Sequence, residues 1–176
     1  MPTLDRFLAS VEHRAYKMAW LATRDRDESL DLVQDAMYKL VQKYLHLDVE
    51  QWNLLFFKIL NNRILDWHRG KKIRGLFGVF SAQEENEEDN EIEQFADFDQ
   101  LRPDRLLERV QQAEKIEKAI ANLPIRQQQA VVLRLWEGFD VSQTADIMGC
   151  SQGSVKTHLH RATVTLQNIL GDEHHD

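Results

Sequence analysis

The sequence predicts an all-α protein: two small helical domains, 1–75 and 106–176, joined by an acidic linker over 76–105. Three observations carry this reading. Only 7 glycines and 3 prolines interrupt the 176 residues, too few for the turns of a sandwich or barrel. The apolar residues recur in steps of three and four, the period of a half-buried helix. The charge is divided along the chain. Residues 1–75 carry 13 Lys/Arg against 10 Asp/Glu, residues 76–110 carry 3 against 11, and residues 111–176 carry 6 against 8. The net charge of −7 is therefore one segment centred on Glu84–Glu91, whose charges repel and which has little to bury.

The first helix is marked by Leu4, Leu8, Val11, Ala15, Met18 and Ala22. A polar break at Thr23–Glu28 precedes a second stripe, Leu30, Val33, Met37, Leu40, Val41 and Tyr44, with Ser29 or Asp27 as its N-cap. The third stripe is Trp52, Leu55, Phe56, Ile59, Leu60, Ile64 and Trp67, ending in the basic run His68–Gly75. Three such stripes make a small bundle. Lys58, Asn61, Asn62 and Arg63 on the third helix, followed by Arg69, Lys71 and Lys72, interleave cations and amides with aromatic rings. That mixture suits single-stranded nucleic acid: cations track phosphates, rings stack on bases and amides read base edges. A basic helix end that merely complements the helix dipole is the plainer reading.

In the C-terminal part, Leu106, Val110, Ala113, Ile116, Ile120 and Leu123 form a stripe that stops before Pro124. A helix follows from about Arg126 to Trp136, with Leu135 on its inner side. Asp140-Val141-Ser142-Gln143 fits a capping box, and Gly149 a left-handed stop. Ser151 caps a last helix with Val155, Leu159, Ala162, Leu166 and Ile169 inside. A short helix, a glycine turn and a longer helix make a helix-turn-helix, whose second helix enters the major groove. Its outward residues, Gln152, Ser154, Lys156, Thr157, His158, His160 and Arg161, are polar or basic, with no carboxylate before Asp172. Gln152 and Lys156 suit bases; Ser154, Thr157 and Arg161 suit phosphates. An antiparallel helix pair with a polar outer face is the bland alternative.

Several functions find no support. The single cysteine, Cys150, allows no internal disulfide and is expected to pack as a small hydrophobe. His158 and His160 point to different sides of a helix, so no metal site is expected. No phosphate loop, nucleophile elbow or paired-carboxylate motif appears, so neither an enzyme nor a cofactor is expected. With no signal pattern and no apolar run long enough for a membrane span, a cytoplasmic protein without membrane insertion is expected.

Four segments resemble the extracytoplasmic-function sigma factors, compact bacterial sigma subunits of RNA polymerase. Asp31-Leu32-Val33-Gln34-Asp35-Ala36-Met37 resembles the D-x-V-Q-[DE] helix of sigma region 2. Ile59–Arg69 resembles its I-A-x-N-x-x-x-D-[aromatic]-x-R segment. Leu123-Pro124-Ile125-Arg126-Gln127 resembles the L-P-x-R-x start of region 4, and Val155–Ala162 its V-K-[ST]-R-L-x-R-A recognition helix. They stand in the family's order over about 4–75 and 106–170.

The resemblance implies that Asp31, Gln34, Asp35, Met37 and Tyr38 dock on core polymerase. It places Lys58, Asn61, Asn62, Arg63, Trp67, Arg69, Lys71 and Lys72 at the −10 element as it opens. Arg126, Gln152, Ser154, Lys156, Thr157, His158 and Arg161 then read the −35 duplex. It implies an acidic linker threading a cation-lined RNA channel, and an anti-sigma protein as a further partner. His158 stands where the family has Arg, which makes that phosphate contact pH-sensitive. Thr144 replaces an apolar residue, and Asp140 replaces a Ser/Thr cap. Two other readings are a helix-turn-helix regulator acting without polymerase and a helical protein adaptor.

Overall fold

A computed structural model describes residues 3–77 and 103–171. Among the described residues there are helices and turns and no strand. The helices are α1 (Leu4–Thr23), α2 (Arg26–Tyr44), α3 (Val49–Phe77), α4 (Pro103–Ala121), α5 (Ile125–Val131), α6 (Val141–Met148) and α7 (Gln152–Gly171). The expected linker lies outside the described residues over 78–102. Its two ends, 76–77 and 103–105, belong to α3 and α4.

Local chemistry sets the helix ends. Thr3 caps α1, and Arg24 closes it in a left-handed conformation (φ 55°), its N–H donating to the Trp20 carbonyl at 2.8 Å. The break before α2 is therefore shorter than the polar stretch implies. Asp25 is the N-cap, accepting from the Glu28 N–H at 3.0 Å. Ser29, an expected cap, is instead buried, its hydroxyl on Thr23 and the Asp25 carbonyl. Helix α3 does not stop in the basic run but continues to Phe77, with Arg69, Lys71, Lys72 and Arg74 exposed along it.

Helix α5 passes into a π-helical turn, Val132–Trp136, where the Glu137 N–H reaches the Val132 carbonyl five residues back. The extra residue in this turn changes the facing of its later side chains. Val132 and Leu133 stay buried, whereas Leu135, expected inside, is 62% exposed. The Arg134 guanidinium holds the Phe139 carbonyl below this turn.

Helices α1–α3 pack as one bundle around Val11, Ala15, Leu40, Phe56, Leu60 and Ile64. Helices α4–α7 pack around Ile120, Leu133, Ile147, Val155 and Ala162. The two cores are continuous. Phe57 of α3 meets Phe139 edge-on at 5.7 Å between ring centroids. Gln128 of α5 donates to the Leu21 carbonyl at 3.0 Å. Arg14–Glu137 (2.9 Å) and Lys17–Glu117 (2.7 Å) bridge the same junction.

Candidate nucleic-acid and polymerase interfaces

The turn before α7 is built as its sequence implies. The Asp140 carboxylate accepts the Gln143 N–H at 2.7 Å, and the Gln143 side chain accepts the Asp140 N–H at 3.0 Å. Gly149 closes α6 at φ 64°, a conformation that costs a β-carbon-bearing residue. The Ser151 hydroxyl then accepts the Ser154 N–H at 3.1 Å. Thr144, the polar departure on α6, is fully buried with its hydroxyl unpartnered, yet Ala145, Ile147 and Met148 still fill the inner face.

This places Gln152, Lys156, Thr157 and Arg161 on one exposed face of α7, with Ser154 and His158 half-buried along its edge. Thr157 also returns its hydroxyl to the Gly153 carbonyl. Arg126 lies under this face rather than on it, its guanidinium donating to the Met148 carbonyl at 2.7 Å and to Gln129 at 3.2 Å. It ties α5 to the end of α6. His158 is held below the usual imidazole range by burial, and further by the Arg126 and Arg161 charges. It is neutral at neutral pH, so Lys156 and Arg161 carry the fixed positive charge of this face.

The α3 residues are dispersed. Asn62, Arg69, Lys71 and Lys72 are exposed, and Arg63 is half-buried with its Nε unpartnered. The Trp67 indole donates to Glu28 at 3.0 Å, with the Lys71 ammonium 5.2 Å from its ring centroid. Lys58 is paired with Asp146 of α6 at 2.9 Å, and Asn61 is fully buried, donating to the Ile147 carbonyl at 3.4 Å. On α2, Asp31, Gln34, Asp35 and Tyr38 fall at helical spacing on one exposed face beside Leu30, while Met37 is half-buried.

The junction residues Arg14, Lys17, Phe57, Glu117, Glu137 and Phe139 carry no signal in the sequence. Their partners lie far along the chain (123 positions for Arg14 and Glu137), so no local spacing could pair them. Among the described residues, no three His, Cys, Asp or Glu side chains gather as a metal site requires. No described helix is long and apolar enough to cross a membrane.

A family profile, sigma-70 region 4, matches residues 113–166, from α4 through most of α7. SigX of Bacillus subtilis, an extracytoplasmic-function RNA polymerase sigma factor, is 23% identical over 88% of this chain and 77% of its own. The chain belongs to the extracytoplasmic-function group of the sigma-70 family. SigV of Bacillus subtilis, an RNA polymerase sigma factor, is 26% identical over 90% of this chain and 85% of its own. Among solved structures, the sigma factor RpoE of Bartonella quintana, bound to the anti-sigma factor NepR, superposes with a TM-score of 0.61. It is 26% identical, and the match covers 94% of this chain and 92% of RpoE. The sigma-70 profile covers the capped α6, the Gly149 turn and the exposed face of α7.

Proposed function

We propose that this sigma factor binds core RNA polymerase, reads −35 and −10 promoter elements and promotes strand opening. The carrying observation is the α7 face: Gln152, Lys156, Thr157 and Arg161 exposed together on a helix without carboxylates, behind a doubly capped turn. Hydrogen-bonding and cationic groups in that position match base edges and phosphates in a major groove.

In this reading residues 106–176 form the −35 domain and residues 1–75 the polymerase and −10 domain, with 76–105 as the acidic connection. The α2 face of Asp31, Gln34, Asp35, Met37 and Tyr38 docks on polymerase. Asn61 and Asn62, with Lys58, Arg63 and Trp67, take the opening strand, while Arg69, Lys71 and Lys72 hold its backbone. Arg126 supports the −35 face from beneath. RpoE is held by an anti-sigma factor, and such a partner is proposed here as well. The chain contributes specificity, and the chemistry of RNA synthesis stays with the polymerase in the cytoplasm.

Run-off transcription with bacterial core polymerase over a random promoter library tests this. Transcripts starting downstream of a shared pair of elements, only when the chain is added, are the expected result. Failure to join core polymerase in a pull-down would overturn the reading and leave the regulator that acts on duplex alone.

A further inference from the structure

Two of the side chains proposed for the opening strand are already occupied by the C-terminal half. The Lys58 ammonium holds an Asp146 carboxylate oxygen at 2.9 Å, where a phosphate oxygen would sit on nucleic acid. The Asn61 amide, buried under α6, donates to the Ile147 main-chain carbonyl, an acceptor like those on a base edge. Asn62 lines the same cleft, together with Asp146, Gly149, Cys150 and Ser151. We propose that α6 is an internal stand-in for the −10 strand: the free chain is closed and self-inhibited, and α3 and α6 must separate before strand capture.

The junction has the chemistry of a contact made to part. Its ion pairs lie at a partly solvated rim, with Lys58 and Asp146 side chains 39% and 50% exposed. Such pairs exchange readily for contacts with water or phosphate. Inside it, the Asn61 carbonyl oxygen is buried with no partner, and so is the Thr144 hydroxyl on α6. Desolvated groups without partners weaken the closed packing, and opening returns Asn61 to water or to a base. Closure is also selective. The α7 face and the Asp31–Tyr38 face of α2 stay exposed, so duplex contact and polymerase docking remain available while strand capture is blocked. Docking can therefore precede opening.

The inference rests on the strand-binding role of α3, and its test separates the two. Arg14, Lys17 and Asp146 are surface residues outside the proposed DNA and polymerase contacts. The full-length triple variant R14E/K17E/D146K sets like charges against Glu137, Glu117 and Lys58. R14A/K17A/D146A is a milder companion should the first lose helicity by circular dichroism. In X-ray scattering the wild type should lie near the radius of gyration of one compact body of this length, about 16 Å. The variant should exceed the wild type by at least about 3 Å.

Anisotropy with a fluorescein-labelled oligo(dT) of about 20 nucleotides, long enough for one binding groove, should show several-fold tighter binding by the variant. The substitutions make the chain more negative, so net charge cannot produce that gain. An expanded wild type, or a folded variant with unchanged dimensions, overturns the closure. An expanded variant whose oligo(dT) affinity is unchanged overturns the stand-in role of α6. A failed run-off assay bears only on the promoter reading, since the scattering result does not depend on it.

Discussion

The Arg14 guanidinium donates to the Glu137 carboxylate at 2.9 Å, joining the first helix to the end of the π-helical turn. The two ends of this pair differ. The Arg14 side chain is 42% exposed, while that of Glu137 is 4% exposed. Burial of the carboxylate outweighs the attraction of Arg14 and lifts the Glu137 pKa above the ordinary carboxylate value.

A raised acid stabilises the folded chain fully below its unfolded pKa, and that contribution is lost as pH rises through the folded value. The neutral isostere Glu137→Gln removes this pH-dependent loss. The expected outcome is a higher Tm for Glu137→Gln than for the wild type near about pH 7.5, with the gap closing toward about pH 5. Equal pH dependence of the two unfolding midpoints would refute the account of this pair.

His158 gives the opposite sign. Burial, Arg126 and Arg161 hold it neutral in the free chain. A duplex phosphate beside it favours the imidazolium, so DNA binding takes up a proton and strengthens as pH falls. Holoenzyme affinity for a −35-containing duplex should rise on going from about pH 7.5 to about pH 6. His158→Arg should be the tighter binder at the higher pH and lose most of that dependence. A His158→Arg profile parallel to the wild type would remove His158 from the phosphate set.

Lys156 and Arg161 should separate by type of contact. A base contact from Lys156 predicts a loss of about 1–3 kcal/mol for Lys156→Ala, concentrated at one promoter position. A phosphate contact from Arg161 predicts a similar weakening on every sequence, and a salt slope shallower by about 1 for Arg161→Ala. Titrations of both variants over several salt concentrations and a promoter substitution series distinguish the two patterns.

The features legible in the amino-acid sequence are the local ones. The stripes of α1, α2 and α3, the Asp140–Gln143 box, the Gly149 stop and the outward side of α7 all follow from three- and four-residue spacing or from a single cap. Periodicity misplaces Leu135 because one additional residue in a turn changes every later facing, and no propensity marks where that occurs. The Ser29 or Asp27 cap is misplaced because Arg24, a non-glycine residue, adopts a left-handed conformation and lets Asp25 begin the helix. The strand-binding group is legible as a composition of Lys, Asn and Trp. Its engagement is not, because Asp146 and the Ile147 carbonyl lie 88 and 86 positions from Lys58 and Asn61. Nothing in α3 alone says that α6 covers it.

Helix α6 is only eight residues long, so its N-terminal cap matters more than in a longer helix. Asp140 satisfies the Gln143 N–H, and the Gln143 side chain satisfies the Asp140 N–H, so removing the carboxylate undoes both halves of the box. Asp140→Ala should cost about 1–2 kcal/mol of stability, read from denaturant unfolding. Asp140→Ser should recover most of it, because a hydroxyl accepts the same N–H and the family's usual cap is of that kind. Since α6 sets the angle at which Ser151 starts α7, Asp140→Ala should weaken duplex binding at temperatures where the chain is still folded. Asp140→Ser should restore binding and stability together. Stability lost without any loss of duplex binding would mean that α7 is oriented by its contacts with α4 and α5 alone, and that the capped helix is not what aims it.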